Sequence, residues 1–326
     1  YDISLFNMNF SRKFMICKVS SGLGIIILGA CGSIIYSEIS NRQLVIDWRD
    51  NTYCHDDINS FPLFFNCPKT VSVESIPDTK SVYPEIWIDK LDQSFGGLRK
   101  DLRISDQSMS VELSRTNYES EILVFCAYTH KINQMRQLFH GKFDYLAKMD
   151  DRTIIKQVLN SHLSLKPEIV QSIEDFKSSH LGVNTLGVHV RYTDMKIPLD
   201  KLITKTKKIN KNNKFNSIFL STDSQEVVEK FQEEFPNIIT TPKWFPPSGE
   251  RMHQNWDQCP DRVQNGIEAL MDMYLLASCN DLIFSSQSSF GLVASILSKA
   301  SKQHLHDVNS SSLVEKVKAK ITGIAK

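Results

Sequence analysis

No two cysteines of this sequence form a CxxC pair, and none is grouped with histidines at zinc-ligand spacing. No zinc-ligand spacing is therefore read from the chain, and reduced thiols are the simplest reading. The seven cysteines are odd in number and scattered, which points to reduced thiols and a cytoplasmic enzyme; a single Cys54–Cys67 bridge stays open. Excess charge is missing as well. A formal net charge of +1 gives no global reason to expect nucleic acid or an anionic membrane as partner. Long apolar runs are also absent: the stretch from Gly22 to Tyr36 falls short of the ~20 residues of a spanning helix. It carries Gly24, Gly29 and Gly32, and reads as a buried helix packed closely on its neighbours. No signal peptide precedes it, so stable membrane insertion is not expected. Repeats are lacking, and low complexity is confined to the lysine/asparagine run from Lys205 to Lys214, which reads as a solvated helix end and loop.

What is present is a globular composition, 41% hydrophobic and 23% charged over 326 residues. That length suggests two domains, at roughly 100–200 residues each. The second half alternates short apolar strands with helices. Strands are predicted at Thr185–Tyr192, Ser217–Asp223, Ile238–Thr241 and Leu282–Ser285, and helices after Asp223 or Ser224, over Asn265–Cys279 and over Ser289–Leu297. Such alternation implies a parallel sheet covered on both faces. The first half has similar pieces: a strand at Lys13–Val19, the turn Ser20–Gly24, the apolar helix, and strands at Gln43–Trp48 and Ile122–Ala127. An irregular aromatic region lies between, and a polar helical stretch from about Lys148 to Ser179 joins the halves. The fold expected is α/β, two Rossmann-like domains facing a cleft, with boundaries at 1–165 and 166–326.

Five segments could carry chemistry. Arg191 stands at the carboxyl end of a strand, where open α/β sheets bind ligands, and its guanidinium suits a phosphate. The plainer reading is a structural ion pair with Asp194. His189 shares the strand face of Arg191, and alone would be a core histidine. Ser221–Ser224 offers hydroxyls and N–H groups at a helix start, where simple capping is the alternative. Asp272 lies on an apolar helix, so its carboxylate needs a partner, either an arginine or a ligand donor such as the paired N–H groups of guanine. Ser285–Ser289 could hold a pyrophosphate or cap a helix. Finally, the turn SSGLG with Asp47 on the next strand resembles half a dinucleotide fingerprint, the basis of a rival oxidoreductase reading.

Taken in order, these segments resemble the α-1,6-fucosyltransferases, and within them the rhizobial nodulation enzymes that fucosylate chitin-type oligosaccharides. The resemblance rests on NRQLVIDWRD (Asn41–Asp50), FPLFF (Phe61–Phe65), LGVHVRYTD (Leu186–Asp194) and FLSTDS (Phe219–Ser224). It continues through PKWFPPSG (Pro242–Gly249), NGIEALMDMYLLASC (Asn265–Cys279) and SSQSSF (Ser285–Phe290). It implies an inverting glycosyltransferase of the GT-B type, independent of metal and without a cofactor. GDP-fucose would be the donor and an oligosaccharide the acceptor, with O6 of N-acetylglucosamine the expected hydroxyl. By the resemblance, Arg191 would bind the β-phosphate, His189 and Asp272 would face guanine, and Asp223, Ser285 and Ser286 would line the nucleotide and pyrophosphate site.

Two departures stand out. Tyr192 occupies the place of a second arginine, and the glutamate proposed as general base has no clear match, Leu199 standing near its place. Asp200 is the expected substitute base, with Asp194 upstream as the other carboxylate. The N-terminal half would hold the acceptor, with Trp48, Phe64 and Trp87 as candidate sugar-stacking faces or equally as core, core coming first for the phenylalanine. A fucosyltransferase of another linkage and a non-catalytic GDP-sugar-binding protein are the alternatives.

Overall fold

The computed structural model describes residues 13–50, 52–55, 58–194, 198–246 and 257–309. They divide into two compact units, the first made mostly of the chain up to Ser164 and the second mostly of the chain from Leu165. Gly22–Ile25, Thr52 and Tyr53 group with the second.

The sheet of the first unit is built from β1 (Phe14–Lys18), β2 (Gln43–Asp47), β3 (Val82–Tyr83) and β4 (Ile122–Phe125), in the order β2-β1-β4-β3. All neighbours are parallel, and Phe14 is in register with both Gln43 and Ile122. The strands FMICK, QLVID and ILVF are near-continuous apolar runs, as strands covered on both faces must be. One core cluster gathers Ile16, Val45, Ile122 and Val124 with Trp87, Phe95, Leu98 and Met109. Among the helices of this half are α1 (Leu23–Ser40), α2 (Phe95–Leu102) and α3 (Asp151–His162).

Helix α1 is long and apolar enough to cross a membrane, yet 78% of it is buried within the protein. Its glycines explain how. A Cβ on Gly29 would stand 2.8 Å from the Val19 side chain, and one on Gly32 only 2.0 Å from the carbonyl oxygen of His130. The expectation of a helix held against close neighbours is thus met at two named positions. Arg42, in the same half, is buried and donates to the carbonyls of Phe14, Ser120, Glu121 and Tyr118. It ties the loop before β4 to the amino end of β1, a structural task.

The second unit begins with α4 (Pro167–His180) and contains β5 (Thr185–Val190), α5 (Leu199–Asn213), β6 (Ser217–Thr222), α6 (Gln225–Glu234) and β7 (Ile238–Ile239). It continues with α7 (Arg262–Ser278), β8 (Asp281–Phe284), α8 (Ser289–Leu297) and β9 (Leu305–Asp307). The sheet runs β9-β8-β5-β6-β7, parallel throughout. From β5 the chain moves outward through β6 to β7, then returns to the other side of β5 for β8 and β9. This reversal makes β5/β8 a topological switch point, where parallel sheets open a crevice at the carboxyl ends.

The predicted helical stretch of 148–179 is two helices, α3 and α4. The break falls at residues 163–166 because Pro167 disfavours helix in the residue before it and itself takes the first position of α4. Helix α7 starts earlier than predicted because Asp261 caps it, accepting from the Gln264 N–H at 2.9 Å. The last part of the PKWFPPSG segment, from Pro247, lies outside the described residues.

Because Gly32 meets a backbone carbonyl rather than a flexible side chain, Gly32→Ala should destabilise the first unit by about 1–3 kcal/mol despite alanine's better helix propensity. Denaturant unfolding of the two proteins measures this.

Candidate functional site

Strand β5 ends at Val190, and Arg191 is the first residue beyond the sheet's carboxyl edge. Its Nε donates to Asp194 Oδ1 at 2.6 Å and lies 3.3 Å from Asp223 Oδ2, while Nη2 reaches Asp194 Oδ2 at 3.1 Å. Burial opposes the guanidinium's charge, but the hydrogen bonds to Asp194 and the Asp223 carboxylate outweigh it and hold the charge more firmly than usual. With the Arg191 side chain 20% exposed, the head is fixed without being sealed off. Among the described residues, Nη1 has no hydrogen-bond partner, leaving two N–H donors for an incoming acceptor.

Of the two residues that the sequence offers as the cap of α6, Asp223 is not the one used. Ser224 takes the cap position of α6 without a side-chain cap bond. Asp223 instead accepts from the Tyr192 N–H at 2.8 Å and the Thr193 hydroxyl at 2.6 Å. It therefore staples the turn after β5 to the end of β6. The Tyr192 hydroxyl donates to Glu226 at 3.4 Å, and its ring packs on the core of the sheet. In this arrangement it does not stand in for the missing second arginine.

His189 is buried on β5, its ring stacked on Phe290 of α8 at a centroid distance of 5.1 Å. Burial, then the charge of Arg191, pushes its pKa down to about 3, so the ring is neutral at working pH. Among the described residues its Nδ1 has no hydrogen-bond partner, and it is closed over by Gly291, where a Cβ would stand 2.8 Å away. A bare acceptor is cheaper to bury than an orphaned donor, so the proton belongs on Nε2.

Asp272 is buried on α7 and has found its partner in a lysine, not an arginine. Lys243 forms an ion pair with Asp272 Oδ2, each side chain 5% exposed. The Ser221 hydroxyl donates to the same oxygen at 2.8 Å, and the Thr241 hydroxyl to Oδ1 at 2.5 Å. Lys243 stands within the PKWFPPSG segment, so the signal was present, but nothing in the one-dimensional spacing ties residue 243 to residue 272. Glu268, one turn before Asp272, was missed as well; its half-buried carboxyl is pushed upward by burial.

The serines after β8 are differently disposed. Ser285 is buried, its hydroxyl accepting from Asn309 Nδ2 at 2.6 Å and from the Gln287 N–H at 3.3 Å. The exposed Ser286 donates its N–H to Asp307 Oδ1 at 3.0 Å. A pyrophosphate at this junction would have to replace Asp307, so these groups now serve the β8–β9 connection. Asp200 lies in the first turn of α5 with an exposed side chain.

In the first unit, the residue behind the rival reading is already engaged. Asp47 is buried, paired with Lys18, and accepts from Arg49 Nε at 2.9 Å and Nη2 at 2.8 Å. Burial pushes its pKa up, yet Arg49 and Lys18 together hold it below the ordinary carboxylate range. Both oxygens are occupied, which removes the ribose acceptor of a dinucleotide site. Between sugar platform and core, the aromatic candidates resolve to core: Trp48, Phe64 and Trp87 are 2%, 0% and 0% exposed, as expected for Phe64 and against the stacking option for the two tryptophans. Tyr128, just past β4, is 37% exposed, its hydroxyl held by Arg99 Nη1 at 2.8 Å and its ring against Phe95.

The Nodulation protein Z (NodZ) family matches residues 145–321. Nodulation protein Z of Azorhizobium caulinodans is 26% identical over 316 residues, covering 87% of this chain and 89% of its own. The crystal structure of Se-Met fucosyltransferase NodZ from Bradyrhizobium superposes with a TM-score of 0.61 at 21% identity, covering 88% of this chain and 93% of that one. A crystal structure of NodZ α-1,6-fucosyltransferase soaked with GDP-fucose gives 0.59 at the same identity and coverage. The fold is accordingly the two-domain GT-B fold of these transferases.

The neutral His189 carries a pH consequence. The unfolded chain takes up a proton near the ordinary value of 6.5, the folded chain only near 3, so stability falls as pH drops through that window. His189→Phe should shrink the loss of Tm between about pH 7 and pH 5, read by thermal melts at both values.

Proposed function

Because the chain belongs to the nodulation protein Z (NodZ) family, we propose that it transfers L-fucose with inversion from GDP-β-L-fucose to a glycan hydroxyl. O6 of N-acetylglucosamine in a chitin-type oligosaccharide is the expected acceptor position. The observation that carries this reading is Arg191: a charged, partly exposed guanidinium at the carboxyl edge of the switch point, aimed by two carboxylates.

The chemistry follows from what such a group can do. In transfer, the bond from fucose C1 to the β-phosphate oxygen breaks and its electron pair leaves with GDP. The acceptor oxygen bonds to C1 from the opposite face and gives up its proton. Negative charge thus builds on the diphosphate, and donors fixed in advance stabilise it without reorganising. Arg191 fills that role with Nη1. Asp194 and Asp223 act on Arg191, as positioning residues. Asp194 commits both oxygens to the guanidinium, whereas the exposed Asp200 is free to meet an acceptor hydroxyl and is the base we assign. His189, neutral and with its proton on Nε2, contributes a hydrogen-bond donor to the nucleotide. On the first unit, Tyr128 offers the exposed aromatic face that the buried tryptophans lack, suited to a sugar ring. The reading needs no resident cofactor, since GDP-fucose is a substrate. All seven cysteines are buried, and their odd number and scattered spacing support a reducing, cytoplasmic setting.

Calorimetric titration with GDP, UDP, ADP and NADH tests the donor reading on wild type and Arg191→Ala. GDP should bind in preference to the others, and the variant should lose roughly 10- to 100-fold in affinity; absence of a GDP preference would overturn the reading. With GDP-fucose and chitin fragments, Asp200→Asn should lower kcat by about 10²–10⁴ with GDP affinity unchanged. Asp194→Asn should weaken GDP binding instead, because it releases Arg191. Tight GDP binding without turnover on any glycan would favour a non-catalytic binding protein.

A further inference from the structure

We propose that Lys243 selects the base of the donor, its ammonium donating to O6 of guanine beside Asp272, the carboxylate that the family resemblance already sets against the base. The inference rests on the GDP-sugar reading above and adds to it a residue outside the set expected from sequence.

The first observation is where the pair sits. Ser221, which donates to Asp272, is in β6 next to His189 in register on β5. The charges of both Asp272 and Lys243 act on His189. All of these groups belong to the carboxyl-end region of β5 and β6, the edge where parallel sheets receive ligands. A buried ion pair is poor value for stability alone, since two charges must be desolvated to make it. The same volume filled by apolar side chains would serve a core as well.

The second observation is a count of acceptor sites. A carboxylate offers about four lone-pair positions, two per oxygen. Thr241 fills one on Oδ1, and Ser221 and Lys243 fill both on Oδ2. With the lysine in place only one position is left, too few for the two N–H groups of guanine. If the ammonium swings from Oδ2 to a neighbouring carbonyl oxygen, one position opens on each oxygen. Ser221 and Thr241 keep hold of the carboxylate meanwhile, so it is never left bare in a buried place.

The pattern then presented is donor, acceptor, acceptor: the complement of guanine's O6, N1–H and N2–H. Adenine reverses the first two positions, setting its amino group against the ammonium and its bare N1 against the carboxylate. Hypoxanthine keeps O6 and N1–H and lacks only the amino group. Lys243 would thus discriminate at position 6 of the purine.

The test is calorimetry with GDP, IDP and ADP on wild type, Lys243→Met and Lys243→Gln. Wild type should rank GDP and IDP well above ADP. Lys243→Met should weaken GDP and IDP by roughly 10- to 100-fold each, with ADP binding unchanged, so that the preference collapses. Lys243→Gln, which keeps a neutral donor, should retain part of the preference. It also secures the readout if the methionine variant fails to fold around an unpaired Asp272. Equal losses for all three nucleotides would reduce Lys243 to general charge balance and overturn the proposal, as would unchanged GDP binding in both variants. Wild type that binds no GDP would overturn the donor reading itself, a result distinct from either.

Discussion

The arrangement at the edge of the second sheet depends on one carboxylate, Asp223. It accepts from the Tyr192 N–H and the Thr193 hydroxyl, and its Oδ2 sits 3.3 Å from the Arg191 guanidinium. β5 and β6 are already joined along their length by the ladder. Beyond Val190 and Thr222 the ladder stops, and the backbone would otherwise fray into solvent. Asp223 extends the join past the last strand residues, so Arg191 emerges from a fixed point. Asp194 then closes on the same Nε that Asp223 faces, and on Nη2. A long arginine side chain loses about 2 kcal/mol of rotamer entropy when ordered. Here that loss is met during folding, before any ligand arrives, which is the physical content of preorganisation.

The two units handle charge at their strand ends in opposite ways, though both sheets are parallel with a central switch. In the first, Lys18, Asp47 and Arg49 satisfy one another, and Lys18 and Arg49 also donate to the carbonyls of Gln93 and Leu91. That cluster is closed. In the second, Arg191 keeps Nη1 uncommitted among the described residues, His189 keeps an unpartnered ring nitrogen, and the Asp272 carboxylate retains a lone-pair position. Unfilled hydrogen-bonding capacity in buried or half-buried groups is costly to leave standing. Among the described residues Trp48 Nε1, just past β2 in the first unit, is likewise unpartnered, so the proposed binding edge is marked by the charged and titratable kind of its unfilled groups rather than by their mere presence.

Much of this was legible in the sequence. The alternation of apolar strands and helices yields two parallel sheets, because strands buried on both faces must be apolar throughout. That Arg191, Asp223 and Ser285 fall at the carboxyl ends of strands follows from the apolar runs alone, although each strand stops one or two residues sooner than the run suggests. Other features were not legible because they depend on chain reversal. That Asp272 meets Lys243 requires α7 to lie against β5 and β6, a tertiary fact. That Trp48 and Trp87 are core rather than sugar platforms depends on what covers them, which an aromatic-rich segment does not reveal. The break between α3 and α4 was written in Pro167 and overlooked, since polar periodicity runs through it.

The charge balance at Arg191 decides how a diphosphate could be held. Two carboxylates, Asp194 and Asp223, face a single guanidinium, so the local field does not favour an anion by its sign. Attraction must then come from direction. An N–H donor at hydrogen-bond distance acts over about 3 Å, while the opposing carboxylates lie behind the guanidinium and are partly neutralised by it. Such a site gains little from long-range steering and most from exact fit of the phosphate oxygens to fixed donors. It also binds strongly only when charge is concentrated on those oxygens, as it is when the bond to the sugar has broken. An arginine tied by two acids is therefore better suited to a departing diphosphate than to the intact donor. That is the differential a leaving-group catalyst requires.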